Sequence, residues 1–143
     1  VETDEIEQMV AGNAPGKLVD ARTPPFFTGD KAHKAAARPG TLPGAQNLPY
    51  TEFFSPGATA IKASIDVASL KSQLGIEEGD AVVSFCNTGH WAATDWFAMS
   101  EVAGIENVKL YPGSMVEYSQ TDGDMANQPG VIGNLINQLT GNN

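Results

Sequence analysis

The chain has 143 residues, and its apolar, charged, glycine and proline fractions are those of an ordinary globular protein. We therefore expect residues 1–143 to form a single domain. Seventeen acidic residues against eight basic ones give a formal net charge of −9. This charge repels the phosphates of nucleic acids and the anionic surface of membranes, so neither is expected as a partner.

The cysteine count and the hydrophobic runs exclude further classes of protein. A single cysteine rules out an internal disulfide and a cysteine-rich structural zinc site. No apolar run reaches the ~18 residues of a membrane-spanning helix, and the N-terminus lacks the layout of a signal peptide. We expect a soluble protein, and the sequence does not decide between the cytoplasm and the periplasm.

The first half of the chain predicts one helix, two short strands and a long loop. Residues 3–11 have apolar side chains at helical spacing and are followed by a glycine, which indicates an amphipathic helix. Residues 17–21 (KLVDA) and 45–48 (AQNL) are expected to form strands. Residues 23–43 are rich in Pro, Gly and Ala, which predicts a long irregular excursion.

The second half contains the most informative segment. Residues 66–74 predict a helix, and residues 81–85 (AVVSF) predict a buried strand. A short glycine-containing turn, residues 86–91 (CNTGHW), leads into an apolar helix at residues 92–103, and residues 108–111 form a fourth strand candidate.

The tail predicts one more helix, because residues 131–139 carry an apolar stripe at helical spacing. Strands that alternate with helices indicate crossover units and a mainly parallel sheet, which is the α/β fold class. No internal repeat and no domain boundary is evident in the sequence.

The chemistry centres on Cys86, which follows a buried strand and precedes a glycine turn and a helix. Ligand sites in open α/β sheets lie beyond the carboxyl ends of the strands. The turn can direct backbone N–H groups inward, and the helix adds the positive end of its dipole, so the position favours an anion or a thiolate. The alternative interpretation is a small buried core residue, the common fate of a free cysteine.

The neighbours of Cys86 have less specific interpretations. Gly89 suits a positive φ or the close approach of a ligand. His90 could donate a hydrogen bond to a bound anion or point to solvent. Trp91 is expected to form an apolar wall of the pocket. Trp96 and Phe97 are expected in the core, and His33 is expected to be an exposed loop residue.

Four pieces of the sequence, taken in order, resemble the rhodanese (thiosulfate sulfurtransferase) family. They are LVDAR at 18–22, LPGAQNLP at 42–49, CNTGHWA at 86–92 and YPGSMVEY at 111–118. The resemblance implies a central, mostly parallel sheet of about five strands with helices on both faces. The long segment between the first two pieces is similar to that of the catalytic half of tandem-domain sulfurtransferases.

The resemblance also implies roles for particular residues. Cys86 would accept the transferred sulfur, and Asp20 and Arg22 would support its loop from the first strand, with Asp20 the nearer. A surface ion pair is the alternative interpretation of these two residues. The cradle of backbone N–H groups would come from Asn87, Thr88, Gly89, His90, Trp91 and Ala92.

One departure from the family concerns the sulfur donor. Thiosulfate-using members commonly place basic residues in the loop or on the excursion, whereas this loop has only His90. The excursion reads PPFF at 24–27, and Phe26, Phe27 and Trp91 suggest an apolar pocket mouth. This predicts a persulfide, polysulfide, thiosulfonate or protein donor in preference to thiosulfate.

The same loop bears on other candidate functions. A cysteine phosphatase needs arginine six residues after the cysteine to clamp phosphate, and this chain has Ala92 there. Arsenate reduction generally needs a second thiol, which the chain lacks. Cys86 and His90 supply at most two ligands, too few for a metal site. An inactive rhodanese-like binding module is the main rival, although such modules typically lack the loop cysteine.

The expected function is a sulfurtransferase that moves sulfane sulfur from a donor to cyanide or a thiol through a Cys86 persulfide. No metal and no organic cofactor are expected. The expected partners are a small-molecule sulfur donor and acceptor, with a protein thiol as a further candidate.

Overall fold

A parallel β-sheet forms the centre of the protein, whose computed structural model describes residues 1–129. Its strands are β1 (Lys17–Asp20), β2 (Gln46–Asn47), β3 (Val82–Phe85) and β4 (Val108–Leu110). The spatial order is β2-β1-β3-β4, and all three neighbouring pairs are parallel. The predicted α/β class is confirmed, with four strands in the described part of the chain where the resemblance implied about five.

Seven helical segments connect and cover the strands within residues 1–129. They are α1 (Thr3–Val10), α2 (Pro24–Phe27), α3 (Val67–Leu74), α4 (His90–Phe97), α5 (Ser114–Tyr118), a 3-10 helix (Tyr50–Phe53) and a π-helical turn (Ala98–Val102). The short α2 lies in the excursion that the sequence predicted to be irregular. Proline suits its first turn, because a missing N–H costs nothing there.

The core has two halves, one on each face of the sheet. Leu18 and Val83 pack with side chains of α1 and α5, whereas Val19 and Val82 pack with α3 and the segment after α4. Neighbouring residues of one strand point to opposite faces, so both faces are apolar and both are covered by helices. This arrangement places the ends of β1 and β3 side by side.

Several predicted boundaries differ from the observed ones. The second strand is only Gln46–Asn47, since the prolines and glycine around it limit its pairing. Helix α4 begins at His90, two residues earlier than predicted, because Gly89 with φ 90° turns the chain directly into the helix. The helix predicted at residues 131–139 lies outside the described residues. No helix within residues 1–129 is long and apolar enough to cross a membrane.

The two aromatic residues near the end of α4 have different environments. Trp96 is half-buried, and its indole N–H donates to the carbonyl oxygen of Val108 at 3.2 Å. Phe97 is 45% exposed, so the prediction that it belongs to the core is wrong. Helical spacing alone did not distinguish the buried from the exposed side of a helix this rich in apolar residues.

Candidate active site

Cys86 follows β3 directly and is almost completely buried. Its Sγ accepts a hydrogen bond from the backbone N–H of Gly89 at 3.1 Å. A pocket of about 280 Å³ opens over this cysteine, and its lining residues are His33, Cys86, Asn87, Thr88, His90 and Trp91. The sulfur therefore lies at a pocket, at the N-terminal end of α4, with an N–H group directed at it.

Gly89 is required by two features of this loop. Its φ is 90°, a left-handed conformation that residues with a side chain rarely adopt. A Cβ at this position would also lie 3.0 Å from the carbonyl oxygen of Pro112. Both the turn into α4 and the close approach of the neighbouring loop depend on this glycine.

The loop after β4 packs against the cysteine loop through its backbone. The N–H of Cys86 donates to Oγ of Ser114 at 3.0 Å, and this hydroxyl donates to the carbonyl oxygen of Tyr111 at 2.8 Å. The backbone N–H groups of Met115 and Val116 donate to the carbonyl oxygens of Cys86 and Asn87, both at 3.0 Å. These bonds hold the cysteine loop in one conformation.

Ser114 is a supporting residue that the sequence reasoning did not single out. Its φ is 51°, so a non-glycine residue adopts the left-handed conformation in order to place its hydroxyl. The turn Pro112-Gly113 after a strand was the available sequence signal. It marked a turn, but it carried no information about which side chain of that turn meets Cys86.

Asp20 and Arg22 form a buried ion pair beneath the loop. The guanidinium contacts the carboxylate with Nη2 to Oδ2 at 2.7 Å and Nε to Oδ1 at 2.9 Å. The side chains are 0% and 2% exposed, so the interpretation as a surface pair is wrong. Thr41 donates a further hydrogen bond to Asp20 at 2.7 Å.

Arg22 is the member of this pair that reaches the cysteine loop. Its Nη1 donates to Oδ1 of Asn87 at 3.3 Å, and Nη2 also donates to the carbonyl oxygen of Gly40 at 2.8 Å. Asp20 instead binds Arg22 and Thr41, so the expectation that Asp20 lies nearer to the loop is wrong. The arginine side chain is long enough to reach Asn87. The Asp20 carboxylate neutralises the charge of the guanidinium and fixes its orientation.

Three aromatic rings pack together beside the cysteine loop, and Trp91 is the one of them that lines the pocket. The ring of Trp91 stacks on Tyr50, with centroids 4.9 Å apart and an interplanar angle of 11°. Phe26 meets Trp91 edge to face at 6.0 Å and 63°. All three are half-buried, and Arg22 lies over the ring of Phe26 at 5.9 Å. Phe27, the other phenylalanine of α2, is not among the residues of this group.

Two histidines line the pocket. His90 is exposed, and its Nδ1 lies 3.2 Å from the hydroxyl oxygen of Thr88. His33 is half-buried and lines the pocket, so the prediction of an exposed loop residue is wrong. Nδ1 of His33 accepts the N–H of Ala35 at 3.2 Å, which leaves Nε2 to carry the proton in the neutral imidazole.

Asp95 is a buried carboxyl on α4 that the sequence reasoning missed. It is 0% exposed, and neither carboxyl oxygen has a hydrogen-bond partner within the described residues. Burial raises the pKa of Asp95 to about 9, and the negative charge of Asp20 adds to this effect. The group is therefore an uncharged acid at neutral pH. An acidic residue in an apolar helix was the only signal in the sequence.

Two further residues of the cysteine loop lie in the protein interior. Asn87 and Ala92 are buried, and the hydroxyl of Ser84 donates to the carbonyl oxygen of Ala92 at 3.0 Å, which joins the start of α4 to β3. Within residues 1–129, no group of three or more His, Cys, Asp or Glu side chains is arranged to hold a metal ion.

The chain is similar to known proteins of one family. A family model described as a rhodanese-like domain matches residues 2–121. A relative from Mycolicibacterium smegmatis, named "Putative thiosulfate sulfurtransferase", is 31% identical over 123 residues, which are 82% of this chain and 44% of that protein. The sulfur carrier protein TtuD of Thermus thermophilus is 31% identical over 114 residues, 76% of this chain and 40% of TtuD.

Among solved structures, the crystal structure of Tum1 from Saccharomyces cerevisiae is similar, with a TM-score of 0.75 and 27% identity. The match covers 90% of this chain and 46% of the Tum1 chain. The chain thus spans less than half the length of each of these relatives.

Proposed function

Because the chain belongs to the rhodanese-like domain family, we propose that it is a sulfurtransferase whose Cys86 carries sulfane sulfur as a persulfide. The observation that carries this proposal is the position of the Cys86 sulfur. It lies at a pocket, at the N-terminal end of α4, and accepts the N–H of Gly89 at 3.1 Å. Such a position favours an anionic sulfur, whether thiolate or persulfide.

The proposed reaction is a double displacement. The Cys86 thiolate attacks the outer sulfur of a donor, an S–S bond forms to that sulfur, and its bond to the rest of the donor breaks. With thiosulfate the leaving group is sulfite, and with a persulfide it is a thiolate. Cyanide or a thiolate then attacks the outer sulfur of the persulfide, which regenerates the Cys86 thiolate and releases thiocyanate or a new persulfide.

The residues around Cys86 have supporting roles in this proposal. The cradle is formed by Asn87, Thr88, Gly89, His90, Trp91 and Ala92, and the N–H of Gly89 stabilises the negative charge on sulfur. Arg22 holds the loop through Asn87, and Asp20 keeps Arg22 in place. The transfer needs no metal and no organic cofactor. Its partners are a sulfur donor and an acceptor, which includes a protein thiol.

The proposed activity is tested by intact-mass spectrometry after incubation with thiosulfate and, separately, with a thiosulfonate. A reducible gain of one sulfur, about 32 Da, is expected on the wild type and not on Cys86→Ser. Cyanolysis of the loaded protein should yield thiocyanate. Cys86→Ser is expected to keep the fold, and its unfolding would identify Cys86 as a core residue instead.

A non-catalytic binding or sulfur-carrier module is the second candidate, because one relative is named a sulfur carrier protein. A carrier would gain the sulfur and pass it to a protein thiol with little turnover of cyanide. An inactive module would gain none. A phosphatase is disfavoured because Ala92, which is buried, occupies the position of the required arginine.

A further inference from the structure

A second pocket adjoins the aromatic rings beside the cysteine loop. Its volume is about 470 Å³, whereas a protein cavity of about 150 Å³ holds a benzene ring. It is lined by residues 50–51 and 54–58, and none of these lining residues has a charged side chain. A pocket of this size and composition fits an uncharged, apolar side chain.

One pair of stacked rings separates this second pocket from the pocket over Cys86. Trp91 lines the pocket over Cys86, and Tyr50 lines the second pocket. The two rings stack with an interplanar angle of 11° and with their centroids 4.9 Å apart. The two pockets are therefore neighbours, and a ligand that extends past this pair of rings reaches both.

The walls of the second pocket are held by backbone hydrogen bonds. The N–H of Tyr50 donates to the carbonyl oxygen of Ala21 at 2.9 Å, which ties the 3-10 helix to the end of β1. In the following loop, the N–H of Ala58 donates to the carbonyl oxygen of Ser55 at 2.9 Å and closes a turn. A pocket that is formed in advance needs little ordering when a ligand binds.

We propose that the second pocket binds an apolar side chain of a protein or peptide that accepts sulfur from Cys86 on its own cysteine. This inference rests on the proposed sulfurtransferase function and names its acceptor. Cyanide is too small to occupy both pockets, whereas a peptide chain can do so. The cysteine of the acceptor enters the pocket over Cys86, and the apolar side chain enters the pocket beside Tyr50.

The thickness of the stacked pair sets the spacing between these two side chains. A bound atom lies ~4 Å beyond a ring that it contacts, so groups on the two sides of the 4.9 Å stack are roughly 12 Å apart. An extended chain covers this distance with about three to four residues. The preferred acceptor therefore carries its apolar residue three or four positions from its cysteine.

The transfer step is balanced for such an acceptor. The peptide thiol first gives its proton to solvent, and the thiolate attacks the outer sulfur of the Cys86 persulfide. A new S–S bond forms on the peptide, and the bond between the outer sulfur and Sγ of Cys86 breaks. The electron pair of the broken bond stays on Cys86 as the thiolate, and the peptide leaves as a persulfide.

The test measures transfer from the loaded protein to a series of peptides. The wild type is loaded with one sulfur from a thiosulfonate, freed of donor and mixed with blocked, uncharged Gly/Ser peptides that contain one cysteine. Each peptide carries one leucine at a different distance before or after the cysteine, and a leucine-free peptide is the reference. The rate is followed by intact mass, as the loss of about 32 Da from the protein and the same gain on the peptide.

A leucine three or four positions from the cysteine should raise the rate by roughly three- to tenfold over the leucine-free peptide. A leucine next to the cysteine should not raise it. Ala58→Glu places a carboxylate at the wall of the second pocket, on an exposed residue, and should lower this preference to about one. Ala60→Glu is the matched control, because Ala60 is exposed in the same loop but does not line the pocket. It should keep the wild-type preference.

Equal rates for all peptides would overturn the proposal, as would a leucine preference that persists in Ala58→Glu. Either result leaves the loading of Cys86 intact and refutes only the acceptor inference. A protein that gains no sulfur from any donor refutes the proposed function as well.

Discussion

Replacing Asp95 with asparagine should make the stability of the protein less dependent on pH. The carboxyl is buried and has no hydrogen-bond partner within the described residues, and its pKa is raised to about 9. In the unfolded chain it titrates near 3.8. The folded state therefore holds a proton that the unfolded state releases, so the contribution of Asp95 is most favourable below pH ~4 and is lost as the pH rises to about 9.

The magnitude follows from the linkage between proton binding and unfolding. One proton of difference changes the unfolding free energy by about 1.4 kcal/mol per pH unit. Between pH 5 and pH 8 this amounts to a loss of about 4 kcal/mol, a large part of the ~5–15 kcal/mol that stabilises a typical domain. Asparagine has nearly the same shape and does not titrate, so this loss is absent from Asp95→Asn.

Urea unfolding at pH 5, 6, 7 and 8 and constant ionic strength measures the effect. The stability of Asp95→Asn relative to the wild type should rise by about 4 kcal/mol across this range. The other titrating groups and the charge repulsion within this acidic chain change the unfolding free energy of Asp95→Asn and of the wild type alike. Asp122→Asn, at an exposed carboxylate, is the matched control and should run parallel to the wild type. Parallel curves for Asp95→Asn and the wild type would refute the reasoning.

Three further substitutions test the support of the cysteine loop. Gly89→Ala should lower the unfolding free energy by roughly 1–3 kcal/mol and slow persulfide formation, because φ is 90° and a Cβ would lie 3.0 Å from the carbonyl oxygen of Pro112; unchanged urea unfolding would contradict this. Arg22→Met should cost about 3–5 kcal/mol by leaving Asp20 buried and unpaired. The double variant with Arg22→Met and Asp20→Asn should recover part of that loss. If urea unfolding shows that the losses of the two single variants simply add in the double variant, the pairing is contradicted. Ser114→Ala should cost about 1–3 kcal/mol, since it leaves the N–H of the cysteine without its acceptor; thermal unfolding within experimental error of the wild type would show that the bond is dispensable.

Local patterns were sufficient to predict the fold class and the centre of the candidate site. The run 81–85 is apolar except for Ser84, and it forms the inner strand β3, which is covered on both faces and therefore consists mainly of apolar residues. A glycine three residues after Cys86 predicted a turn, and Gly89 has the positive φ that the turn requires. These features depend on neighbours in the chain, which is why the sequence alone revealed them.

The residues that support the cysteine loop or line its pocket could be identified only from the tertiary structure. Ser114 and His33 lie far from Cys86 in the chain, and they reach its loop or its pocket only because β3 pairs with β1 and β4. The pairing also brings Arg22, rather than Asp20, into contact with Asn87. A sequence pattern identifies which residues form an element, but it does not give the direction of a side chain across the gap between two elements.

The sequence by itself determined the α/β class, the order of the strands in the chain, and a cysteine at the end of a buried strand, because each follows from the properties of adjacent residues. Only the tertiary structure decided that three aromatic rings meet beside the cysteine loop and that Asp95 is buried with no hydrogen-bond partner among residues 1–129. The physical reason is that burial and ring contacts depend on how separate segments pack, and packing is a property of the whole domain.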